Sequence, residues 1–304
     1  MKQLVILSGK GGTGKTSVAA AFSHLAATGT FQEGVVLADA DVDAANMELV
    51  LKPELQESED FIGGKLAVID RENCSACGEC ASVCRFDAIK APDRIFQVDP
   101  FACEGCAACV YQCPTESIHM EAQVAGKFYH SRSRFGPLYH AHLLPGQENS
   151  GKLVTLVKQR ARLHAMDEER ELVLVDGPPG IGCPVISAVS GADLALIVTE
   201  PTIAGAHDLE RILATVRHFQ IPALVCINKA DLYPQGVVEI EAVCAGHGIE
   251  VLGHIPFDPA VTQAMVQGEP VTVSQPEAPS SCALKALWEQ ILTALQEEAC
   301  PKPL

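Results

Sequence analysis

A glycine-rich loop that ends in a lysine and a hydroxyl residue follows the first apolar run of the chain. Residues 2–7 predict a strand and residues 15–27 a helix, and between them the sequence reads SGKGGTGKT from Ser8 to Thr16. A G-x-x-x-x-G-K-T pattern between a strand and a helix is typical of a loop that binds nucleotide phosphates through backbone N–H groups. We expect Lys15 to contact the β- and γ-phosphates and Thr16 to bind Mg²⁺.

Aliphatic runs and helical segments alternate along most of the chain. Hydrophobic residues make up 48% of the 304 residues and aromatic residues only 5%, which favours an aliphatic α/β interior. The alternation predicts a doubly wound, mostly parallel sheet. The predicted strands are 2–7, 35–39, 172–175, 194–198, 223–227 and 251–255, and the predicted helices are 15–27, 181–190, 206–219, 236–247 and 283–298.

Eight of the thirteen cysteines form two runs of the same spacing, C-x2-C-x2-C-x3-C, offset by 29 residues. They interrupt the α/β alternation, which predicts an insertion: a first part of the nucleotide domain at 1–62, a small α+β ferredoxin-like domain at 63–126, and the second part of the nucleotide domain at 127–304. In the bacterial ferredoxin pattern three close thiolates bind one [4Fe-4S] cluster and the fourth binds the other cluster. The expected ligands are Cys74, Cys77, Cys80 and Cys113 for cluster A, and Cys84, Cys103, Cys106 and Cys109 for cluster B.

The two cysteine runs are not identical at their ends. Both have an isoleucine five positions after the last cysteine, Ile89 and Ile118, but Pro114 follows Cys113 where Arg85 follows Cys84. Arg85 could alter the local geometry or raise the potential of cluster B. Zinc is the alternative to iron and sulfide, because paired C-x2-C motifs also build zinc sites.

The additional lysine in the loop, Lys10, gives K-G-G-T-G-K-T, and this resembles the deviant Walker A family of MinD, ParA, Mrp-type proteins and the nitrogenase iron protein. The resemblance implies that Lys10 reaches the phosphates of a partner subunit in a nucleotide-bound dimer, which supplies a cation as an arginine finger does. Asp39, Asp41 and Asp43 follow strand 35–39 as in switch I of that family. Asp41 is the candidate for orienting the attacking water and, with Asp39, for supporting Mg²⁺.

Other segments extend the resemblance along the chain. Asp176-Gly177-Pro178-Pro179-Gly180 resembles switch II, which implies that Asp176 supports the metal and that the Gly180 amide senses the γ-phosphate. Asn228-Lys229-Ala230-Asp231 resembles N-K-x-D, in which the aspartate of GTPases pairs with the guanine edge. MinD relatives place a similar asparagine beside adenine, so ATP is favoured and GTP remains the alternative. Residues 255–259 resemble the turn beside the base. The residues expected around the nucleotide are Gly9, Lys10, Gly11, Gly12, Thr13, Gly14, Lys15, Thr16, Ser17, Gly180, Asn228, Asp231, Pro256 and Asp258.

Charge and hydropathy argue against two classes of partner. The formal net charge of −16 repels a phosphate backbone, so no nucleic-acid partner is expected. The chain has no apolar run long enough to span a bilayer, and its last helix ends at Glu297 and Glu298 instead of a basic face, so no membrane partner is expected either. We expect a cytoplasmic protein.

Several isolated residues remain open. Cys183 resembles a cysteine of the nitrogenase iron protein that holds a cluster between subunits, but a buried structural thiol is favoured because a second cysteine is lacking nearby. His140 and His142 could share one face as ligands, although solvated histidines are favoured. The stretch 146–153 imitates a second phosphate loop, but Leu153 replaces the Mg²⁺-binding hydroxyl, and Asn149 or Ser150 is expected to cap a helix. Cys226, Cys244, Cys282 and Cys300 are expected to be structural or exposed.

The motifs lead to one preferred function and two alternatives. The preferred hypothesis is an ATPase that couples ATP to electron transfer from two [4Fe-4S] clusters to a redox or iron–sulfur acceptor protein. We expect it to form a homodimer or a heterodimer with a related ATPase. A cluster assembly or carrier ATPase of the Mrp type is the first alternative, although the late C-x-x-C pair of those proteins is absent. A positioning ATPase is the second alternative, and the acidic charge disfavours it.

Overall fold

The computed structural model describes residues 1–29, 31, 34–92, 95–147 and 149–297. These residues form two compact units: the first contains Met1–Ser58, Phe128–His142 and the chain from Ser150 onward, and the second contains Glu59–Lys127 and Leu143–Asn149. The second unit therefore includes a short segment after residue 126 that the predicted boundaries 63–126 omit.

The first unit is built on a largely parallel sheet. The strand order is β11-β10-β9-β1-β8-β2-β7-β6-β3, and all neighbouring strands from β11 to β7 run parallel to each other. The strands are β1 (Lys2–Ser8), β2 (Val35–Asp39), β3 (Glu54–Ile69), β6 (Ile118–Ser133), β7 (Gly136–Leu143), β8 (Leu172–Pro179), β9 (Leu194–Thr199), β10 (Ala223–Asn228) and β11 (Glu250–Ile255). The α/β doubly wound, mostly parallel fold is thus confirmed.

Nine helices of the described chain accompany this sheet in the first unit. They are α1 (Lys15–Thr28), α2 (Met47–Leu51), α5 (Ser150–Asp167), α6 (Cys183–Val189), α7 (Ile203–His218), α8 (Pro234–His247), α9 (Pro259–Gln267), α10 (Val271–Ser274) and α11 (Pro279–Glu297). The predicted docking of the last helix is confirmed, because its apolar residues are buried and Trp288 packs on Phe22 with ring centroids 5.1 Å apart. Glu298, which the prediction placed in this helix, lies outside the described residues, as does Cys300.

The strands β3, β6 and β7 were not predicted, and their composition explains why. β3 and β6 each continue from one unit into the other, and β7 follows β6 after only Arg134 and Phe135. Buried positions of β6 and β7 include Ser131, Ser133 and His140, so polar residues occupy places that a hydrophobic alternation would need.

The second unit contains two short helices, α3 (Glu79–Val83) and α4 (Ala108–Gln112), and an antiparallel pair, β4 (Ile89–Lys90) and β5 (Gln97–Val98). Its core consists of small and aliphatic side chains together with two thiols: Ala67, Cys80, Ile89, Cys109 and Ile118. Ile89 and Ile118, which stand at matching places after the two cysteine runs, therefore share one core.

Candidate functional site

The glycine-rich loop lies between β1 and α1, at the carboxyl edge of the parallel strands. Gly12 and Gly14 have positive φ angles of 80° and 94°. A Cβ on Gly14 would lie 2.4 Å from Nδ2 of Asn228, and that same Nδ2 donates a 2.7 Å hydrogen bond to the carbonyl of Thr13. Asn228, at the end of β10, thus fixes the path of the loop, and glycine at position 14 makes the close approach possible.

The loop forms one wall of a cleft of about 520 Å³. This volume falls within the range of small-molecule sites. The lining residues are Gly11, Gly12, Gly14, Lys15, Thr16, Ser17, Asp41, Asp43, Ala44, Asn46, Pro178, Pro179, Pro184, Asn228, Lys229, Val261, Thr262 and Met265. The structure thereby brings residues of the predicted phosphate loop, switch I and switch II to a common cavity.

Asp39 and Asp176 are fully buried and face each other in register on β2 and β8. Both oxygens of Asp39 accept backbone hydrogen bonds, from the N–H of Asp41 at 3.1 Å and of Met47 at 3.0 Å. Both oxygens of Asp176 lack a hydrogen-bond partner. Burial raises the pKa of both carboxyls, to about 6 for Asp176, and the neighbouring Asp176 adds to the rise for Asp39.

The unpartnered oxygens of Asp176 make it the carboxylate best suited to support a hard cation. The Lys15 charge and the Thr16 hydroxyl oppose the effect of burial only in part, so the net shift of the Asp176 pKa is upward. Asp41 lines the same cleft, and burial raises its pKa to about 6 against the opposing charge of Lys15. Carboxylate and hydroxyl oxygens are the ligands that Mg²⁺ prefers, so these residues fit that ion.

Lys10 is engaged within its own chain. Its Nζ lies 3.2 Å from Oε2 of Glu200, and Lys229 pairs with the other oxygen of the same carboxylate. Burial raises the pKa of Glu200, but the hydrogen bonds from Lys229 and Lys10 lower it by more, so the net shift of the pKa is downward. A lysine that acts on a partner subunit would have to leave Glu200 first. Glu200 was not among the predicted site residues, although its position just after β9 was a usable signal.

Two predicted nucleotide contacts are occupied by internal hydrogen bonds. The Gly180 amide, expected to sense the γ-phosphate, donates to the carbonyl of Ser8 at 2.9 Å. Asp231, the candidate for reading a guanine edge, accepts a 2.5 Å hydrogen bond from the Phe257 N–H. Both groups therefore hold neighbouring loops together.

Asp258 likewise has a structural task. Its carboxylate caps α9 by accepting from the Ala260 N–H at 2.9 Å, and it accepts from the Ser280 hydroxyl at 2.8 Å. The neighbouring Pro256 lies in the turn between β11 and α9. The side of the cleft formed by α9 is instead lined by Val261, Thr262 and Met265, which the motif analysis did not identify.

In the second unit the eight cysteines of the two runs line two cavities, four to each. One cavity is lined by Cys74, Cys77, Cys80 and Cys113, and the other by Cys84, Cys103, Cys106 and Cys109. In each set, three thiols come from one run and the fourth from the other run. Burial raises the pKa of Cys80 and Cys109, while the Ser117 hydroxyl helps to lower the pKa of Cys113 to about 7.

The 29-residue repeat is also present in the backbone. Positive φ angles recur at the paired positions Ala76 and Gly105, Gly78 and Ala107, and Asp87 and Glu116. Cys84 and Cys113 end the two short helices with almost equal angles, φ −74° and −73° and ψ 111° and 112°. Four of these six residues are not glycine, two in each repeat, and their positive φ angles indicate that the backbone of the runs is determined by more than local conformational preference.

The isolated cysteines and histidines differ in part from expectation. Cys183 is exposed at the start of α6, so the favoured interpretation as a buried thiol was wrong; Cys226 and Cys244 are buried and Cys282 is exposed. His140 is only 3% exposed, so its interpretation as a solvated histidine was wrong as well. Burial and the nearby His142 lower the pKa of His140 to about 4. Asn149, expected as a possible helix cap, has a φ of 76° before α5.

Comparisons with known proteins agree with this geometry. Residues 4–271 match the family model described as the CobQ/CobB/MinD/ParA nucleotide binding domain. The uncharacterized protein MJ0578 of Methanocaldococcus jannaschii is 32% identical over 289 residues, which cover 95% of this chain and 96% of that protein. The iron–sulfur cluster carrier protein of Aquifex aeolicus is 28% identical over 120 residues, 36% of this chain and 33% of its own length.

A solved structure gives the same fold. The septum site-determining protein MinD complexed with Mg-ADP from Pyrococcus horikoshii matches with a TM-score of 0.55 and 20% identity, covering 99% of both chains. Within the described part of the chain, helices that combine the length and apolar character needed to cross a bilayer are absent. On the family match and the shared fold, the chain belongs to the CobQ/CobB/MinD/ParA family of nucleotide-binding domains and is a MinD/ParA-like nucleotide-binding ATPase.

Proposed function

We propose that the protein uses ATP to gate electron transfer through two [4Fe-4S] clusters held by its second unit. The observation that carries the proposal is the sorting of eight thiols into two cavities with one cysteine exchanged between the runs. This exchange is the ligand pattern of two-cluster bacterial ferredoxins. When bound, the clusters would supply one-electron transfer, which the protein side chains do not supply themselves.

The composition of the two thiol sets supports clusters over zinc. Each set takes three thiols from one cysteine run and the fourth from the other run. A zinc site built from two C-x2-C motifs takes two thiols from each motif, so the three-plus-one exchange is the pattern of clusters. Ile89 and Ile118 pack in one core with Cys80 and Cys109, and such an apolar shell limits solvent access to a bound cluster.

The nucleotide domain would work as a dimer, with itself or with a related ATPase. Lys15 and the loop amides bind the phosphates, Thr16 and Asp176 support Mg²⁺, and Asp41 orients the attacking water. Lys10 would leave Glu200 and neutralise charge on the partner's nucleotide. ATP is favoured over GTP, because Asp231 is bonded to the Phe257 amide.

Chain connectivity offers a route from the nucleotide to the clusters. After Asp41 the chain passes through α2 into β3, which leads from the first unit into the second and ends five residues before Cys74. Movement of the segment 39–43 upon ATP binding can therefore alter the exposure or potential of the clusters, and by linkage reduction would alter ATP affinity by the same factor.

Two measurements test the proposal. Anaerobic analysis should find about eight irons and eight sulfides per chain, with an EPR signal on reduction; tightly bound zinc without such a signal would refute it. Cluster midpoint potentials without nucleotide, with ADP and with a non-hydrolysable ATP analogue should differ by about 30–60 mV, where 59 mV corresponds to tenfold for one electron. The same midpoint potentials, measured in the Asp41→Asn variant, serve as the comparison.

A cluster carrier is the second candidate, because part of the chain is similar to a protein named as an iron–sulfur cluster carrier. The same experiments separate the two. Equal potentials in all nucleotide states, together with ready transfer of intact clusters to an apo-acceptor, would favour the carrier.

A further inference from the structure

Three side chains of the first unit meet at a place that neither the nucleotide nor the cysteine motifs explain. Nδ1 of His140 lies 3.3 Å from one carboxylate oxygen of Glu48, and Nε2 of His142 lies 3.4 Å from the other. One ligand atom from each of the three residues lies within 4.8 Å of the others. Two imidazoles and one carboxylate are a common ligand set for divalent transition metals.

The nitrogens that face Glu48 are not engaged in hydrogen bonds. Nδ1 of His140 and Nε2 of His142 are both buried and lack a hydrogen-bond partner, although the carboxylate is close. Buried polar atoms in proteins are nearly always hydrogen-bonded, so two such atoms aimed at one carboxylate call for a missing partner. His140 is 3% exposed, and its nitrogen is therefore held toward this point by the protein.

The surroundings fix the histidines in an orientation suited to binding a metal. Nε2 of His140 is 3.0 Å from the Ser131 hydroxyl, whose oxygen can accept a hydrogen bond from the Nε2–H and thereby leave the Nδ1 lone pair free. The Tyr129 ring stacks on His140 with centroids 5.0 Å apart and contacts His142 edge-on at 5.4 Å. The side chains of His142 and Glu48 are 43% and 31% exposed, which gives an ion a path of entry.

We propose that Glu48, His140 and His142 form a binding site for a divalent transition metal of the zinc or ferrous iron type. The three ligands leave at least one coordination position for water. The site joins α2 to β7, and the Met47 N–H beside Glu48 donates to Asp39, so a bound metal would hold the segment that follows β2. It is separate from the nucleotide cleft, whose lining residues do not include Glu48, His140 or His142.

The test uses the full chain, prepared anaerobically without nucleotide and dialysed against Zn²⁺. The His142→Ala and Glu48→Gln variants should each retain about one Zn²⁺ per chain less than the wild type, since the loss of one of three ligands removes the site. His254→Ala is the matched control, because His254 forms an exposed pair with Glu241 at 3.1 Å outside this site. Zn²⁺ should also raise the Tm of the wild type and not that of His142→Ala.

X-ray absorption at the zinc edge identifies the ligands of the ion that the variants lose. It should report Zn–N and Zn–O distances of about 2.0–2.1 Å; distances of about 2.3 Å would place the ion on cysteines and overturn the proposal. Ser131→Ala keeps all three ligands and guards against a simple folding defect; it should weaken Zn²⁺ binding by about 10- to 100-fold. Equal zinc content and affinity in the wild type and all variants would likewise refute the site.

Discussion

Replacing Asp176 with asparagine should make the nucleotide-free protein more stable. The Asp176 carboxylate is fully buried beside Asp39 without a hydrogen-bond partner, and its pKa of about 6 lies above the ordinary 3.8. The folded state thus binds a proton that the unfolded state has released between these values, so stability falls as pH rises through this window. The pKa of Asp176 differs by about two units between the folded and unfolded states, and each unit corresponds to about 1.36 kcal/mol. The ionised carboxylate therefore lowers the free energy of unfolding at pH 7 by on the order of 3 kcal/mol.

The assay is urea unfolding without Mg²⁺ or nucleotide, followed by the fluorescence of Trp288, the single tryptophan of the chain. The free energy of unfolding of Asp176→Asn should exceed that of the wild type by on the order of 3 kcal/mol at pH 7 and by about half of that at pH 5. The variant should also lose Mg²⁺-dependent nucleotide binding. Asp258→Asn is the control: its carboxylate accepts hydrogen bonds from Ala260 and Ser280, so this variant should be destabilised. A less stable Asp176→Asn protein at pH 7, or a gain that does not shrink at pH 5, would refute the reasoning.

Three further predictions concern the lysines and the thiols. Lys15→Ala should abolish nucleotide binding, whereas Lys10→Ala should keep binding and lose hydrolysis and nucleotide-dependent dimerisation; equal loss of binding by monomers of both variants would contradict the in-trans role. Glu200→Gln should strengthen nucleotide-dependent dimerisation by up to about fivefold, since a part-exposed ion pair contributes up to about 1 kcal/mol, and Lys10→Ala in the same chain should remove this gain in sedimentation analysis. Cys113→Ser and Cys84→Ser should each change the EPR signal of a different cluster, with Cys282→Ser as the silent control; changes to the same signal would contradict the exchange of ligands between the runs.

The parallel sheet could be predicted from the sequence because its strands are buried on both faces. β1, β2, β8 and β9 are continuous aliphatic runs, and each precedes a loop or helix signal that marks its end. The cysteine sets and the phosphate loop could also be predicted, because the residues of each motif lie at fixed spacings along a short stretch of the sequence.

The pairings between distant residues could not be predicted in this manner. Glu200 meets Lys10 and Lys229 only through the order of the strands, and Gly180 meets Ser8 across two neighbouring strands. The family motifs predicted nucleotide roles for Lys10 and Gly180 and none for Glu200, but an ammonium group or a backbone N–H takes whichever partner the tertiary fold brings near.

The end of β2 shows how one strand can serve two sites. Asp39 lies in register with Asp176 on one side and with His140 on the other. Its oxygens accept the N–H groups of Asp41, in the nucleotide cleft, and of Met47, which precedes Glu48. Because both oxygens are used in this way, Asp39 fixes the chain between the two sites, and Asp176 remains free to support Mg²⁺. A shift of Asp41 upon nucleotide binding would therefore reach Glu48 through a single buried carboxylate.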